Sequence, residues 1–135
     1  MSAPLLIRLR SAGDVTILEL SGHLVFDEGD RAFREQVTSL VSAGRNRLIV
    51  DLKNVSYMDS GGVGGLVAMF LHVVKRGGRL KLLCPSERAC RVLTMTQLMS
   101  VFEVFPTEEQ AIASFGLPAA TAAALPMKPG KPIGA

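Results

Sequence analysis

The chain has no tryptophan and a single tyrosine, Tyr57, among 135 residues. A surface of stacked aromatics for single-stranded nucleic acid is therefore not expected. It has only two histidines, His23 and His72, so a catalytic triad or a histidine metal pair has little to draw on. It has only two cysteines, Cys84 and Cys90, six apart, which is neither CxxC nor a zinc-binding spacing. They read as reduced, semi-buried cysteines. Long apolar runs are missing too. Gly62 to Val74 is uncharged for thirteen residues, whereas a membrane span needs about 20. The N-terminal apolar run "PLLI" is too short for a signal peptide. A soluble, cytoplasmic protein with no metal, no cofactor and no membrane or nucleic-acid partner is expected.

What is present suits one folded domain. Hydrophobic residues make up 48% and charged residues 20%, a globular balance. The net charge of +3 is partly a tail effect. The last nineteen residues carry Lys128 and Lys131 and no acid, which leaves 13 basic and 12 acidic residues in 1–116. The only basic cluster, "KRGGRLK" at 75–81, reads as solvated charges around a turn. Residues 117–135 hold four of the seven prolines and lack apolar periodicity. A domain over 1–116 and an Ala/Pro-rich disordered tail over 117–135 are expected.

Residues 5–10 and 15–21 read as strands of a hairpin about "AGD". A helix follows, with Asp27 or Asp30 as cap, Phe33, Val37, Leu40 and Val41 on one face, and Gly44 at its end. "RLIVDL" at 47–52 reads as a central strand. Residues 61–76 form a helix, 79–83 a strand, 87–95 a helix, 101–105 a strand or extended segment, and 107–115 a helix capped by Thr107. The order β-β-α-β-α-β-α-β-α predicts a mixed four- to five-stranded sheet with about four helices packed on it.

The informative stretch is "VSYMDSGGVGGLVAMF", residues 55–70. Each glycine inside a helix costs about 1 kcal/mol relative to alanine, so several on one face need a reason. On a helical wheel Val63, Leu66, Val67, Phe70, Val73 and Val74 form the stripe that packs on the sheet. Gly61, Gly64, Gly65, Ala68, His72 and Lys75 lie opposite, flanked by Met69 and Leu71. Two readings stand. The glycine face packs against another element of the chain, such as the last helix, or it is a flat surface where a partner's backbone approaches closely. Ser60 or Asp59 is a natural N-cap, and the helix start favours an anion.

Catalytic templates fit poorly. A GxSxG elbow fails because Met58 stands two before Ser60, and no GK[ST] follows the glycines. Glycines at 61, 62, 64 and 65 match a dinucleotide fingerprint badly. His23 and His72 read as surface or capping residues. An enzyme using Ser60 or Cys84 would need a base, and Asp59 is the only one near Ser60.

The segment from "LIVDLKNVSYMDSGGVGG" through "GGRLKLL" and "LTMTQL" to "VFEVFPTEEQAIASF" resembles the core of a STAS domain of the bacterial anti-sigma factor antagonist (anti-anti-sigma factor) family. "SGHLVFDEGDRAFREQV" fits its first helix. The resemblance spans about residues 4–116 and implies the SpoIIAA-like α/β fold. It implies a regulator that binds an anti-sigma factor, often a serine kinase of the histidine-kinase-like ATPase fold, and so frees a sigma factor. Partner contacts would then involve Asp59, Ser60, Gly61, Gly62, Gly64, Gly65, Ala68, Met69 and His72. In the family the loop is D-S-S-G or D-S-T-G, and the second hydroxyl accepts a phosphate that blocks binding. Here Asp59-Ser60 matches, but the acceptor position is Gly61. The acid after "G-x-L" is also replaced, by Val25, with Asp27 a little later. Three readings follow: a constitutive antagonist, phosphorylation at Ser60 instead, or a STAS scaffold, sensory or transport-associated module that does not act on a sigma factor. A nucleotide sensor is a further class. Exposed Met69 and Leu71 would serve a homodimer as readily as a foreign partner. Gly61→Ser is expected to create a phosphoacceptor.

Overall fold

The computed structural model describes residues 4–86 and 90–116. Strands β1 (Leu6–Ala12) and β2 (Val15–Leu24) form an antiparallel hairpin. Its tight turn uses Gly13 at a φ of 62°, a conformation that glycine adopts without steric cost. Helix α1 (Glu28–Ser42) leads to β3 (Arg47–Met58), and α2 (Ser60–Lys75) leads to β4 (Arg79–Leu83). A short helix α3 (Arg91–Met95) and a 3-10 turn (Leu98–Ser100) precede β5 (Val104–Phe105) and α4 (Glu108–Ala113). The five strands lie in the order β1-β2-β3-β4-β5, with β2 to β5 parallel. The expected mixed sheet and element order are observed.

Alternation along the strands divides the core in two. Leu18 and Leu20 of β2, Leu48, Val50 and Leu52 of β3, and Leu80 and Leu82 of β4 join one cluster with α1 and α2 through Phe33, Val37, Leu66 and Val73. Val15, Ile17, Ile49 and Leu83 form a second, smaller cluster with Ala111 of α4, bordered by Phe105, Ile112 and Phe115. Helices α1 and α2 thus cover one face and α4 the other. Thr107 caps α4 by accepting from the Gln110 amide at 3.2 Å, as its sequence predicts.

α4 is held by charge as well as by packing. Arg10 of β1 bonds both Glu19 of β2 and Glu108 of α4. Lys81 of β4 is buried at 4% exposure and donates to the Ser114 carbonyl at 3.0 Å and its hydroxyl at 2.9 Å. A cation placed on the last carbonyls of a helix also complements its dipole.

Several boundaries differ from the sequence reading. β2 continues to Leu24 and β3 to Met58, because Ser21–Leu24 pairs with Asn54–Met58 across two register shifts. Lys53, Asn54 and Ser56 are exposed, so no apolar pattern announced this extension. α1 starts at Glu28 with Asp27 as N-cap at a φ of 79°, without a side-chain cap bond. Asp30 lies inside the helix and pairs with Arg34 at 2.9 Å. The expected strand 101–105 shrinks to Val104–Phe105, and helix 87–95 is described over Arg91–Met95. Residues 87–89, and the tail expected over 117–135, lie outside the described residues.

The reading of Cys84 and Cys90 as reduced is corrected: they are joined as a disulfide, with Cα atoms 5.9 Å apart. Cys84 follows β4 and Cys90 precedes α3, and both sit in the larger core cluster. The spacing of six alone does not reveal this proximity.

Candidate functional site at the start of helix α2

Met58 closes β3, and Asp59 is extended at φ −104° and ψ −177° before the chain enters α2. Asp59 Oδ1 accepts the Gly62 amide at 2.9 Å, which makes Asp59, not Ser60, the N-cap. The same oxygen accepts the Phe26 amide at 3.0 Å, and Oδ2 lies 3.2 Å from it. One carboxylate therefore satisfies a free amide of α2 and ties down the β2–α1 loop. Ser60 becomes the first helical residue. It is exposed, and its hydroxyl makes no hydrogen bond among the described residues.

The glycines have separate causes. A Cβ at Gly61 would stand 2.5 Å from Phe26 Cβ and 2.8 Å from its Cα. At Gly62 it would overlap the Leu24 carbonyl, and at Gly65 the Asp30 carboxylate of α1. Only Gly64 faces open space, with nothing within 4 Å. Of the two readings of this face, packing within the chain therefore holds for most of it, with α1 and the β2–α1 loop rather than the last helix as the covering elements. Met69, expected to be exposed, is buried at 7%, while Val74, expected to face the sheet, is 41% exposed. α2 buries residues against both the sheet and α1, so a two-sided wheel misplaces its flanks.

Of the nine residues singled out in the sequence, Ser60 and Gly64 are exposed. Asp59, Gly61, Ala68 and His72 are half-buried, and Gly62, Gly65 and Met69 are buried. His72 sits beside Arg76, with Nδ1 3.2 Å from a guanidinium nitrogen. Partial burial, and then the Arg76 charge, hold it below the ordinary histidine value. No imidazole or amine bonds the Ser60 hydroxyl among the described residues. No group of three His, Cys, Asp or Glu side chains among the described residues has metal-binding geometry.

Two aromatics at this end were not singled out. Phe26 is 72% exposed with its backbone laid against Gly61. Tyr57 is 56% exposed, edge-on to His23 at 5.6 Å. The sequence signal was weak: a Val25-Phe26 pair in a loop between glycine-containing segments.

A parallel sheet extended by an antiparallel hairpin, with a capped glycine-rich helix start at the end of its central strand, is the STAS architecture. The STAS domain family model matches residues 7–111, and the chain belongs to that family. Among curated proteins it is similar to the anti-sigma-B factor antagonist of Bacillus subtilis (strain 168). The two are 41% identical over 76 residues, which is 56% of this chain and 69% of that protein. Among solved structures, an anti-sigma factor antagonist from Mycobacterium paratuberculosis superposes with a TM-score of 0.70 at 22% identity, over 84% of this chain and 97% of that one. The Bacillus anti-sigma factor antagonist SpoIIAA in its unphosphorylated form gives 0.64 at 24%, over 82% and 97%. At those identities the likeness concerns the fold. No helix among the described residues is long and apolar enough to cross a membrane.

Proposed function

We propose that this protein is an anti-sigma factor antagonist, a binding protein rather than an enzyme. It captures an anti-sigma factor through the loop and helix that start at Asp59, and a sigma factor is thereby released. The partner is a serine kinase of the histidine-kinase-like ATPase fold. The observation that carries this reading is the start of α2: Asp59 caps the helix, Ser60 stands free at its tip, and Gly61 occupies the place of the family's acceptor hydroxyl. Supporting it is the curated name of the Bacillus subtilis relative, an anti-sigma-B factor antagonist.

The surface offered to the partner is narrower than the sequence implied. Ser60, Gly64 and the half-buried Ala68 and His72 form its helical part, with Phe26 beside them. Gly62, Gly65 and Met69 act from below by setting how closely α2 lies on its neighbours. A phosphate at this end would add about −1.5 to −2 charges and repel a docked partner. With glycine at 61 that switch has no acceptor in its usual place, so the antagonist is constitutive. Restoring the acceptor is not neutral, because a side chain at 61 must displace Phe26.

The test is affinity capture of the tagged protein from lysate of its own organism with ATP present, followed by reconstitution. The captured kinase-fold protein, purified, should inhibit a sigma factor in a transcription assay, and this protein should relieve that inhibition. The 55–75 peptide should show no gain of the roughly 80 Da expected for phosphate. Such a gain on Ser60 would overturn the constitutive reading. Capture of transporter subunits or STAS scaffolds alone, with no effect on transcription, would overturn the antagonist reading.

A further inference from the structure

β3 outruns its neighbour. β4 pairs with it only from Arg47↔Arg79 to Asp51↔Leu83, whereas β2 accompanies it to Met58. Beyond Asp51, the side of β3 turned away from β2 has no strand beside it among the described residues. Alternate residues of a parallel strand direct both backbone groups to one side. Beyond Lys53, whose own amide is taken by Asp51 Oδ1 at 2.9 Å, the overhang therefore presents amides and carbonyls with no ladder partner among the described residues, which is the template for an added strand.

Opposite the overhang stands α3. Between them lies a cavity of about 580 Å³, with residues 55–58 of β3 on one wall and residues 91–93 of α3 on the other. Val55, Met58, Val92 and Leu93 make it mostly apolar, and Arg91 is the one charged residue lining it among the described residues. Arg91 is exposed and has no hydrogen-bond or ion-pair partner among the described residues. A strand edge, an apolar wall and a guanidinium unpaired among the described residues thus converge on one groove.

We propose that this groove takes an extended, acidic segment of a partner protein, added as a strand along residues 53–58 with a carboxylate on Arg91. The chemistry favours a foreign segment over two nearer candidates. The chain's own residues 117–135 carry Lys128 and Lys131, no acid and four prolines without an amide hydrogen. They match neither the charge nor the ladder. A second copy would bring the like charges of Arg91 and Lys53 together without supplying an acid from the groove. The inference does not depend on the antagonist reading, because it concerns the β3–α3 groove and not the α2 surface.

Fluorescence anisotropy on the full chain tests it, using a labelled short peptide of alternating valine and glutamate. Controls are a lysine counterpart, an acidic peptide N-methylated on the bonding edge, and a peptide of residues 117–135. The acidic peptide should bind saturably, with amide chemical-shift changes confined to residues 53–58 and 91–93. Arg91→Ala should weaken it about tenfold, the usual worth of a hydrogen bond to a charged group. Arg91→Glu should reverse the preference toward the lysine peptide. Arg91 is exposed, so both variants should keep the parent melting temperature. Absence of saturable binding, equal binding of the two charges, or indifference to N-methylation would overturn the proposal. Preferential binding of the 117–135 peptide would reassign the groove to the chain's own tail. Concentration-dependent shifts in residues 53–58 without peptide would reassign it to a second copy.

Discussion

Asp59 Oδ1 accepts two amides at once, Gly62 at 2.9 Å and Phe26 at 3.0 Å. The cap of α2 and the anchor of the β2–α1 loop are one carboxylate. Asp59→Ala should cost about 0.5–2 kcal/mol, the range for losing an N-cap. Hydrogen exchange should accelerate in residues 25–27 as well as 60–63. Asp59→Asn keeps an oxygen acceptor and should restore most of the stability. If exchange rose only in α2, the loop would be held by something other than Asp59.

Gly61 and Phe26 form a second pair. Gly61→Ser must move Phe26, because its Cβ would meet that residue at 2.5 Å. Overpacking of this kind costs about 1–3 kcal/mol, read as a lower urea midpoint at unchanged slope. Phe26→Gly in the same chain removes the Cβ contact but leaves the 2.8 Å contact to Cα, so rescue should be partial. Strict additivity of the two changes would mean that they do not share a contact.

Adjacent glycines should respond with opposite signs. Gly64→Ala meets no atom within 4 Å and should stabilise the protein by about 1 kcal/mol through helix propensity. Gly65→Ala drives a methyl into the Asp30 carboxylate and should destabilise by about 1–3 kcal/mol. Parallel urea titrations decide it, and equal effects at the two sites would contradict the packing of α1 on α2.

The second face of the sheet sets the pH profile. Hydrogen bonding to Arg10 holds the Glu108 carboxyl below its ordinary 4.5. The unfolded chain takes up that proton first, so the stability is complete above 4.5 and is lost as pH falls through the folded value. Burial pushes the Lys81 ammonium below its ordinary 10.5, with Glu103 opposing. Between the folded value and 10.5 the unfolded state binds more protons, and stability therefore rises with pH. Glu108→Gln should flatten the acid limb and Lys81→Met the alkaline limb, in urea midpoints measured at fixed ionic strength.

Much of the fold was legible because it depends on local chemistry. The branched run "RLIVDL", the turn glycines and the Thr107 cap act within a few residues of themselves, and their elements fell where expected. The far half of β3 was not legible, because Asn54, Val55, Tyr57 and Met58 are held by pairing with Ser21–Leu24, more than thirty residues away in sequence. The Asp59-Ser60-Gly61 motif marked the site, yet the wheel could not show which glycines were covered.

The sequence by itself determined the order of elements and the absence of a hydroxyl at position 61. Those follow from composition and period. Tertiary structure alone decided that Asp59 rather than Ser60 caps α2, that Phe26 lies on Gly61, that Met69 is buried, that Cys84 meets Cys90, and that β3 ends in a free edge facing Arg91. Each of these depends on the distance between segments remote in the chain, which the sheet order and the placing of α1 and α3 fix and no local pattern encodes.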